Sequence, residues 1–214
     1  MKTYKKSTVS FITYIGNKMC NYGKDKIERL YLAQLKTILL QHSLIIKILI
    51  ELQRFSLTLY LSAGVIRNLI WAHLHDEDYS LKNTEIDIIF YDEKDDGTQN
   101  LKIERVLVEV FPDIDWDIVN QALVHGWYVT DQGKKIPPLS SIEHALSLWP
   151  ETATAVAIRL NLDNEFECIS PFGLSDLFEL KLRWNKALVS EETFIARLKQ
   201  KKFLEKWPKL KIIS

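Results

Sequence analysis

The segment from residue 56 to residue 91 constrains the fold of this chain more than any other. A short apolar run over Ser56–Ser62 leads to Gly64, helical spacing continues to Leu74, and a second apolar run covers Glu85–Tyr91. Runs of β-type residues bounded by turn residues predict strands, and apolar residues three and four positions apart predict a helix. The segment therefore predicts a strand, a glycine turn, a helix and a second strand.

The second strand carries two acids, Glu85 and Asp87. Side chains alternate along a strand, so both acids point to one face while Ile86 and Ile88 enter the core. Like charges this close raise each other's pKa unless a cation neutralises them, and Mg²⁺ is the usual partner of one or two carboxylates plus substrate phosphates. The pair indicates a phosphate and metal site; the alternative is an acidic strand face exposed to water.

The glycine turn fits the same chemistry. Free N–H groups and the positive dipole end of a helix favour phosphate, and Gly64 has no side chain to block a triphosphate from the backbone. Arg67 lies one turn into the helix, within reach of a phosphate, and Asp117 adds a third acid on the strand-like segment Trp116–Ala122. The alternatives are a simple tight turn at Gly64, a solvent-facing or acid-paired Arg67, and a coincidental third acid.

The rest of the chain predicts mostly helices, with one hairpin. Residues 1–25 have no clear period and predict a poorly ordered extension, so residues 26–214 would form a single domain. We expect Ser43 to cap the second helix. The predicted strands are Ala153–Leu160 and Glu165–Ser170, and the predicted helices are Lys26–Gln41, Ser43–Arg54, Leu101–Phe111, Ser141–Leu148, Leu174–Leu182 and Glu191–Trp207.

Composition narrows the partners and the compartment. Lys plus Arg balance Asp plus Glu at 28 each, so no overall field draws the chain to nucleic acid or to a membrane. Cys20 and Cys168 form no CxxC pattern, which fits a reducing compartment. The basic, partly apolar start imitates a signal peptide, but Ser10, Thr13 and Asn17 interrupt its apolar run. We therefore expect a cytoplasmic protein with no membrane partner.

Several strings of this sequence resemble one known family. They are Leu61–Asn68, Ile86–Asp92, Asn120–Ala122, Trp149–Val156 and Pro171–Phe178. In this order they are similar to the bacterial nucleotidyltransferase-like family that was long described as a domain of unknown function. The resemblance extends from about residue 30 to the C-terminus.

The resemblance implies an α/β (α+β) fold of the polymerase-β-like nucleotidyltransferase type, a small mixed sheet flanked by helices. It implies transfer of a nucleoside monophosphate from an NTP to an acceptor, with Mg²⁺ or Mn²⁺ as cofactor. The family pattern assigns the catalytic and metal-holding acids to Glu85, Asp87 and Asp117. It assigns nucleotide binding to Gly64, Arg67, Asn68, Asn120 and Gln121.

The sequence departs from the family pattern at three places. Glu85 stands where Asp is common, and its extra methylene displaces a carboxylate that near-octahedral Mg²⁺ would have to share. The usual twin small residues before the helix appear here as Ala63 and Gly64, and Leu123 stands where a basic residue is expected. One alternative is therefore an impaired homologue that binds a nucleotide or a protein partner. Another is a toxin-type nucleotidyltransferase acting on RNA or protein, which the lack of a basic patch disfavours.

Overall fold

The structure is a computed structural model that describes residues 25–82 and 84–213. The predicted extension over residues 1–25 lies outside this range, apart from Asp25, which is helical.

A five-stranded mixed sheet forms the centre of the fold. Its strands lie in the order β3-β2-β1-β4-β5, with β2 and β3 parallel and the other neighbours antiparallel. The predicted mixed sheet is confirmed. The strands are β1 Tyr60–Ser62, β2 Glu85–Phe90, β3 Asp115–Asn120, β4 Ala157–Leu160 and β5 Phe166–Ile169.

Helices pack around this sheet, and a second, two-stranded parallel sheet joins β6 (Lys181–Arg183) to β7 (Lys211–Ile213). Helix α1 covers residues 25–39. Two 3₁₀ turns cover Gln121–Gly126 and Thr152–Thr154. The remaining helices are α2 Ser43–Gln53, α3 Gly64–His75, α4 Gln99–Val110, α5 Ile142–Leu146, α6 Ser175–Phe178, α7 Glu191–Gln200 and α8 Phe203–Lys206.

The main core lies on one face of the sheet. Ile86 and Ile88 of β2 are fully buried there, together with Trp71 of α3. The indole of Trp71 donates a hydrogen bond to the Leu177 carbonyl 3.1 Å away, which joins α3 to α6. Because side chains alternate along β2, this packing turns Glu85 and Asp87 to the other face of the sheet.

One predicted helix is wrong over most of its length. The structure has α6 only over Ser175–Phe178, then Leu180 in the left-handed region at φ 57°, then β6. Leu182 of β6 is buried in the main core, and β6 pairs with β7 near the C-terminus. A partner about thirty residues away in the sequence overrides the local helical spacing.

Two smaller predictions are also wrong. The helix expected over Glu191–Trp207 is interrupted, because Lys202 adopts a left-handed conformation at φ 52° and separates α7 from α8. Ser43 does not cap α2; it is the first helical residue, and His42 stands at the cap without a side-chain hydrogen bond. The cap predicted for α5 is confirmed, since the Ser141 hydroxyl accepts from the His144 N–H at 3.0 Å.

Among the described residues, none of the helices has the length and apolar character that crossing a membrane requires.

Candidate functional site

A strained turn joins β1 to α3. Ala63 has φ 56° and ψ −122°, a backbone conformation that residues other than glycine rarely adopt. Its N–H donates to the Val156 carbonyl at 3.2 Å, and its carbonyl accepts from the Arg67 N–H at 3.2 Å, so both backbone groups are fixed. The helix then begins at Gly64, and its first N–H groups have no acceptor within the helix.

Replacing Ala63 by Gly tests this strain. We expect Ala63→Gly to raise the free energy of unfolding by about 1 kcal/mol, because relief of backbone strain exceeds the added entropy of the unfolded chain. Urea unfolding at pH 7 measures it. The matched control is Ala196→Gly in the exposed interior of α7, which should lose about 1 kcal/mol. A comparable loss at both positions would show that Ala63 is not strained.

The carboxylate of Asp87 lies at the start of α3. The Gly64 N–H donates to Asp87 Oδ2 at 3.3 Å. A Cβ added at Gly64 would stand 3.6 Å from this oxygen and 3.6 Å from Arg67 Nη2. The absence of a side chain at Gly64 therefore keeps the space between a carboxylate and a guanidinium open.

Asp87 is held in an environment that opposes its charge. Burial, followed by the negative charges of Asp117 and Glu85, raises the pKa of Asp87 to about 6, although the Gly64 N–H and Arg67 act in the opposite direction. Carboxylates with raised pKa values are typical of functional sites, where a cation or substrate relieves the repulsion.

Arg67 is buried at the floor of the site, with 7% of its surface exposed. Its Nε and Nη2 donate to Asn68 Oδ1 at 3.3 and 3.2 Å, and its Nη1 donates to Thr154 Oγ1 at 3.2 Å. The guanidinium also lies over the ring of Phe203, 4.6 Å from its centroid. Burial lowers the pKa of Arg67 to about 10, so it stays charged at neutral pH. These bonds fix Arg67 in place and leave it little freedom to follow a substrate.

A cavity of about 260 Å³ opens above these residues. It is lined by the start of α3, strand β2 and the C-terminal segment 197–207. No motif in the sequence predicted a functional role for this segment. The spacing of Arg197 and Lys201, four residues apart on a helical pattern, was a usable signal for a shared face. The lining residues are Ala63, Gly64, Arg67, Asn68, Thr84, Glu85, Asp87, Thr154, Arg197, Lys201, Phe203, Lys206 and Trp207.

Asp117 is the register partner of Asp87 on the parallel strand β3, and Asp115 is the partner of Glu85. Burial and the neighbouring Asp115 raise the pKa of Asp117. Asp117 lines a separate cavity of about 460 Å³ with Leu123 and other residues, and it is not part of the cavity wall at Gly64. Asp115 was missed in the sequence, although the Asp-Trp-Asp alternation of β3 places two acids on one face.

The donor chemistry of Glu85 and Asp87 fits a hard divalent cation. Within residues 25–82 and 84–213, no group of three His, Cys, Asp or Glu side chains is arranged to hold a metal ion. Mg²⁺ is commonly bound by only one or two carboxylates, with phosphate and water oxygens completing its shell. Glu85 and Asp87 are therefore of the right chemical type for such a set.

Asn120 and Gln121 are not brought together with Gly64. The Asn120 amide accepts from the Asp92 N–H at 3.1 Å and donates to the Asp92 carbonyl at 2.8 Å, so it ties the turn after β2 to the end of β3. Gln121 is buried beside an apolar cavity with the exposed Trp127. Neither residue lines the cavity at Gly64, and their assignment to nucleotide binding stays a prediction.

Similar structures share this arrangement of sheet and helices. An NMR structure described as revealing a CCA-adding enzyme head domain is 28% identical to the chain, with a TM-score of 0.71 over 85% of this chain and 95% of that one. The Thermotoga maritima CCA-adding enzyme complexed with tRNA_CCA is 16% identical with a TM-score of 0.52, and the match covers 84% of this chain and 42% of that one. The second likeness concerns the fold alone.

The sequence comparison agrees with the structural one. No curated protein matches the chain. A family profile described as nucleotidyltransferase matches residues 52–212. This range includes the turn at Gly64, the two strands β2 and β3 that carry the acidic residues, and the C-terminal segment that lines the cavity. The fold is the polymerase-β-type fold that the resemblance implied, and the chain belongs to the nucleotidyltransferase family.

Proposed function

We propose that this protein transfers a nucleoside monophosphate from an NTP to an acceptor hydroxyl. One observation carries the proposal: the first N–H of α3, at Gly64, meets the carboxylate of Asp87 at the mouth of a cavity that also contains Glu85 and four basic side chains. A helix N-terminus binds phosphate, and two carboxylates bind the cation that accompanies it.

Glu85 and Asp87 are the residues that would hold Mg²⁺ or Mn²⁺. A bound divalent ion supplies charge stabilisation for the transferring phosphoryl group and helps to orient the acceptor oxygen. Asp87 is the stronger candidate ligand, because its half-buried carboxylate is crowded by Glu85 and Asp117.

The chemical step is a displacement at the α-phosphorus of the NTP. The acceptor oxygen forms a bond to this phosphorus, the bond to the oxygen that bridges to the β-phosphate breaks, and pyrophosphate leaves. The acceptor hydroxyl loses its proton, and we propose Asp117 as the group that receives it. Its position beside Asp87 on the neighbouring strand and its raised pKa support this role.

A tRNA 3′ end is the acceptor we propose to test first. The 28% identical neighbour is described as a CCA-adding enzyme head domain, and its match covers nearly all of that chain. The balanced charge of this chain gives no independent support for a nucleic acid acceptor. Total cellular protein is therefore the second acceptor to include.

The direct test is incubation of the purified protein with each α-³²P-labelled NTP, Mg²⁺ and either tRNA or total protein. We expect label transfer and pyrophosphate release that EDTA abolishes. No transfer to any acceptor with any of the four NTPs would count against the proposal.

The main alternative is an impaired homologue that binds a nucleotide without transferring it. The observation behind it is the longer side chain of Glu85 at the position where the family commonly has Asp. Glu85→Asp separates the two functions. An increase in turnover supports an enzyme with a suboptimal metal ligand, whereas unchanged nucleotide affinity with no turnover in either protein supports the binding module.

A further inference from the structure

The cavity has a basic wall although the chain as a whole is neutral. Lys plus Arg equal Asp plus Glu at 28 each, but four cations and only two anions line this cavity. Arg67 is committed to Asn68 and Thr154. The cations that remain belong to the C-terminal segment: Arg197, Lys201 and Lys206.

The two lysines of this wall have no carboxylate partner among the described residues. The ion pairs found there do not include Lys201 or Lys206. Both side chains are exposed at the cavity. Lys206 extends over the rings of Tyr79 and Trp207, with Nζ 4.8 and 5.3 Å from the ring centroids. These contacts hold the Lys206 ammonium beside the aromatic rings, and in the described part of the chain no carboxylate pairs with it.

The wall is fixed by aromatic packing beneath it. Phe203 is 2% exposed and meets Trp71 edge to face at 5.7 Å, and Trp207 is 1% exposed and packs against His75 at 5.3 Å. The left-handed residue Lys202 sets the turn between these anchors. Lys201 and Lys206 therefore project from a turn whose backbone the core determines.

Arg197 is positioned by a buried acidic residue, Glu151. Its Nε donates to the fully buried Glu151 Oε1 at 2.5 Å, and in the described part of the chain its terminal nitrogens make no hydrogen bond. A guanidinium fixed through Nε presents its two terminal nitrogens in one plane, the geometry that suits phosphate oxygens. Arg197 thus adds a positioned cation to the two lysines.

We propose that Arg197, Lys201 and Lys206 form the binding wall for the polyphosphate chain of the nucleotide. This inference rests on the proposed function and names residues that would bind the substrate phosphates, with the carboxylates of Glu85 and Asp87 serving the metal-bound side. A triphosphate carries several negative charges, which match the cations gathered at this small cavity. A nucleic acid backbone would instead call for a basic patch or stripe that extends along the surface beyond the cavity.

The test measures binding of tripolyphosphate by isothermal titration calorimetry, with Mg²⁺ and again with EDTA. In the Lys201→Ala/Lys206→Ala variant we expect the Kd to rise at least tenfold. The matched control, Lys199→Ala/Lys211→Ala, removes the same charge from exposed positions outside the cavity, and its Kd should change less than twofold. Lys206→Met, which removes the ammonium but keeps an unbranched side chain at this exposed position, should retain the fold and still weaken binding about threefold or more.

A single-stranded RNA oligonucleotide in the same titration distinguishes the source of the phosphate. Equal weakening in the control variant, or loss of oligonucleotide binding with tripolyphosphate binding unchanged, would overturn the inference. The protein could bind tripolyphosphate through these lysines and yet show no measurable nucleotide transfer. This result would support the assignment of polyphosphate binding to the wall and contradict the proposed transferase activity. The two hypotheses can therefore fail separately.

Discussion

Asp87→Asn should strongly reduce nucleotide transfer while making the protein more stable. The amide retains the shape of the side chain and an oxygen that accepts from Gly64, but it loses the charge that would hold a divalent cation. If Asp87 holds the cation as proposed, its replacement removes several kcal/mol of transition-state stabilisation, so we expect kcat to fall on the order of a thousandfold. The labelled-NTP assay measures this fall.

The gain in stability follows from the pKa of Asp87. It rises from 3.8 to about 6 on folding, so the ionised side chain costs stability. The contribution of Asp87 to the free energy of unfolding is therefore most favourable below pH 3.8, where the carboxyl is protonated in both states. It falls as the pH rises from 3.8 to about 6 and is constant above. The cost at pH 7.5 is on the order of 2 to 3 kcal/mol, and Asp87→Asn removes most of it.

Urea unfolding with EDTA at pH 7.5 and pH 5 checks the sign. The gain from Asp87→Asn should be clearly smaller at pH 5, where the folded wild-type protein already carries most of the Asp87 proton. The control is Asp163→Asn in the exposed turn between β4 and β5, which removes one negative charge and should change stability by less than about 0.5 kcal/mol. A loss of stability, or an equal gain at both pH values, would refute the assigned environment of Asp87.

The sequence predicted the centre of the fold well because its signals there are local. Alternation in β2 separates Ile86 and Ile88 from the two acids, and the turn before Gly64 separates a strand from a helix. Each of these patterns depends on residues within one element and its neighbour. The resulting order of strand, turn, helix and strand is confirmed, but β1 covers only Tyr60–Ser62 of the strand predicted over Ser56–Ser62.

The C-terminal third was predicted less well because its structure depends on distant partners. β6 pairs with β7, about thirty residues away, while Leu182 is buried in the main core, and a three-residue strand has no periodicity of its own to detect. The left-handed conformation of Lys202 has no marker in the sequence, since glycine or asparagine would be the expected residue there. The basic wall of the cavity was missed for the same reason, because the turn at Lys202 is what directs Lys201 and Lys206.

The candidate site was predicted in part. The cavity gathers Gly64, Arg67, Asn68, Glu85 and Asp87 as the sequence and the resemblance implied. Asp117 is adjacent to Asp87 in register but lines a different cavity. Register and strand order could not be obtained from the spacing of the acids, because they depend on the whole crossover through α4.

Arg197→Met should cost the protein about 3 kcal/mol of unfolding free energy, measured by urea unfolding at pH 7. Glu151 is fully buried, and in the described part of the chain its Oε2 has no hydrogen-bond partner, so the bond from Arg197 is its main compensation. Removing one partner of a buried ion pair leaves an uncompensated charge and typically costs 3 to 5 kcal/mol. The side chain of Arg197 is 34% exposed, which favours the low end of that range.

Removing the other partner of this ion pair, by Glu151→Gln, should lower the free energy of unfolding by less than Arg197→Met does. Glu151→Gln leaves the unpaired charge on Arg197, whose exposed third water can solvate, whereas Arg197→Met leaves it on a carboxylate that water does not reach. The double variant should lose less than the sum of the two single losses. Arg54→Met is the control, because Arg54 is 71% exposed in its pair with Glu51 and should cost under about 1 kcal/mol. Equal losses for Arg54→Met and Arg197→Met would show that Glu151 does not depend on Arg197, and the positioning of Arg197 at the cavity would lose its physical basis.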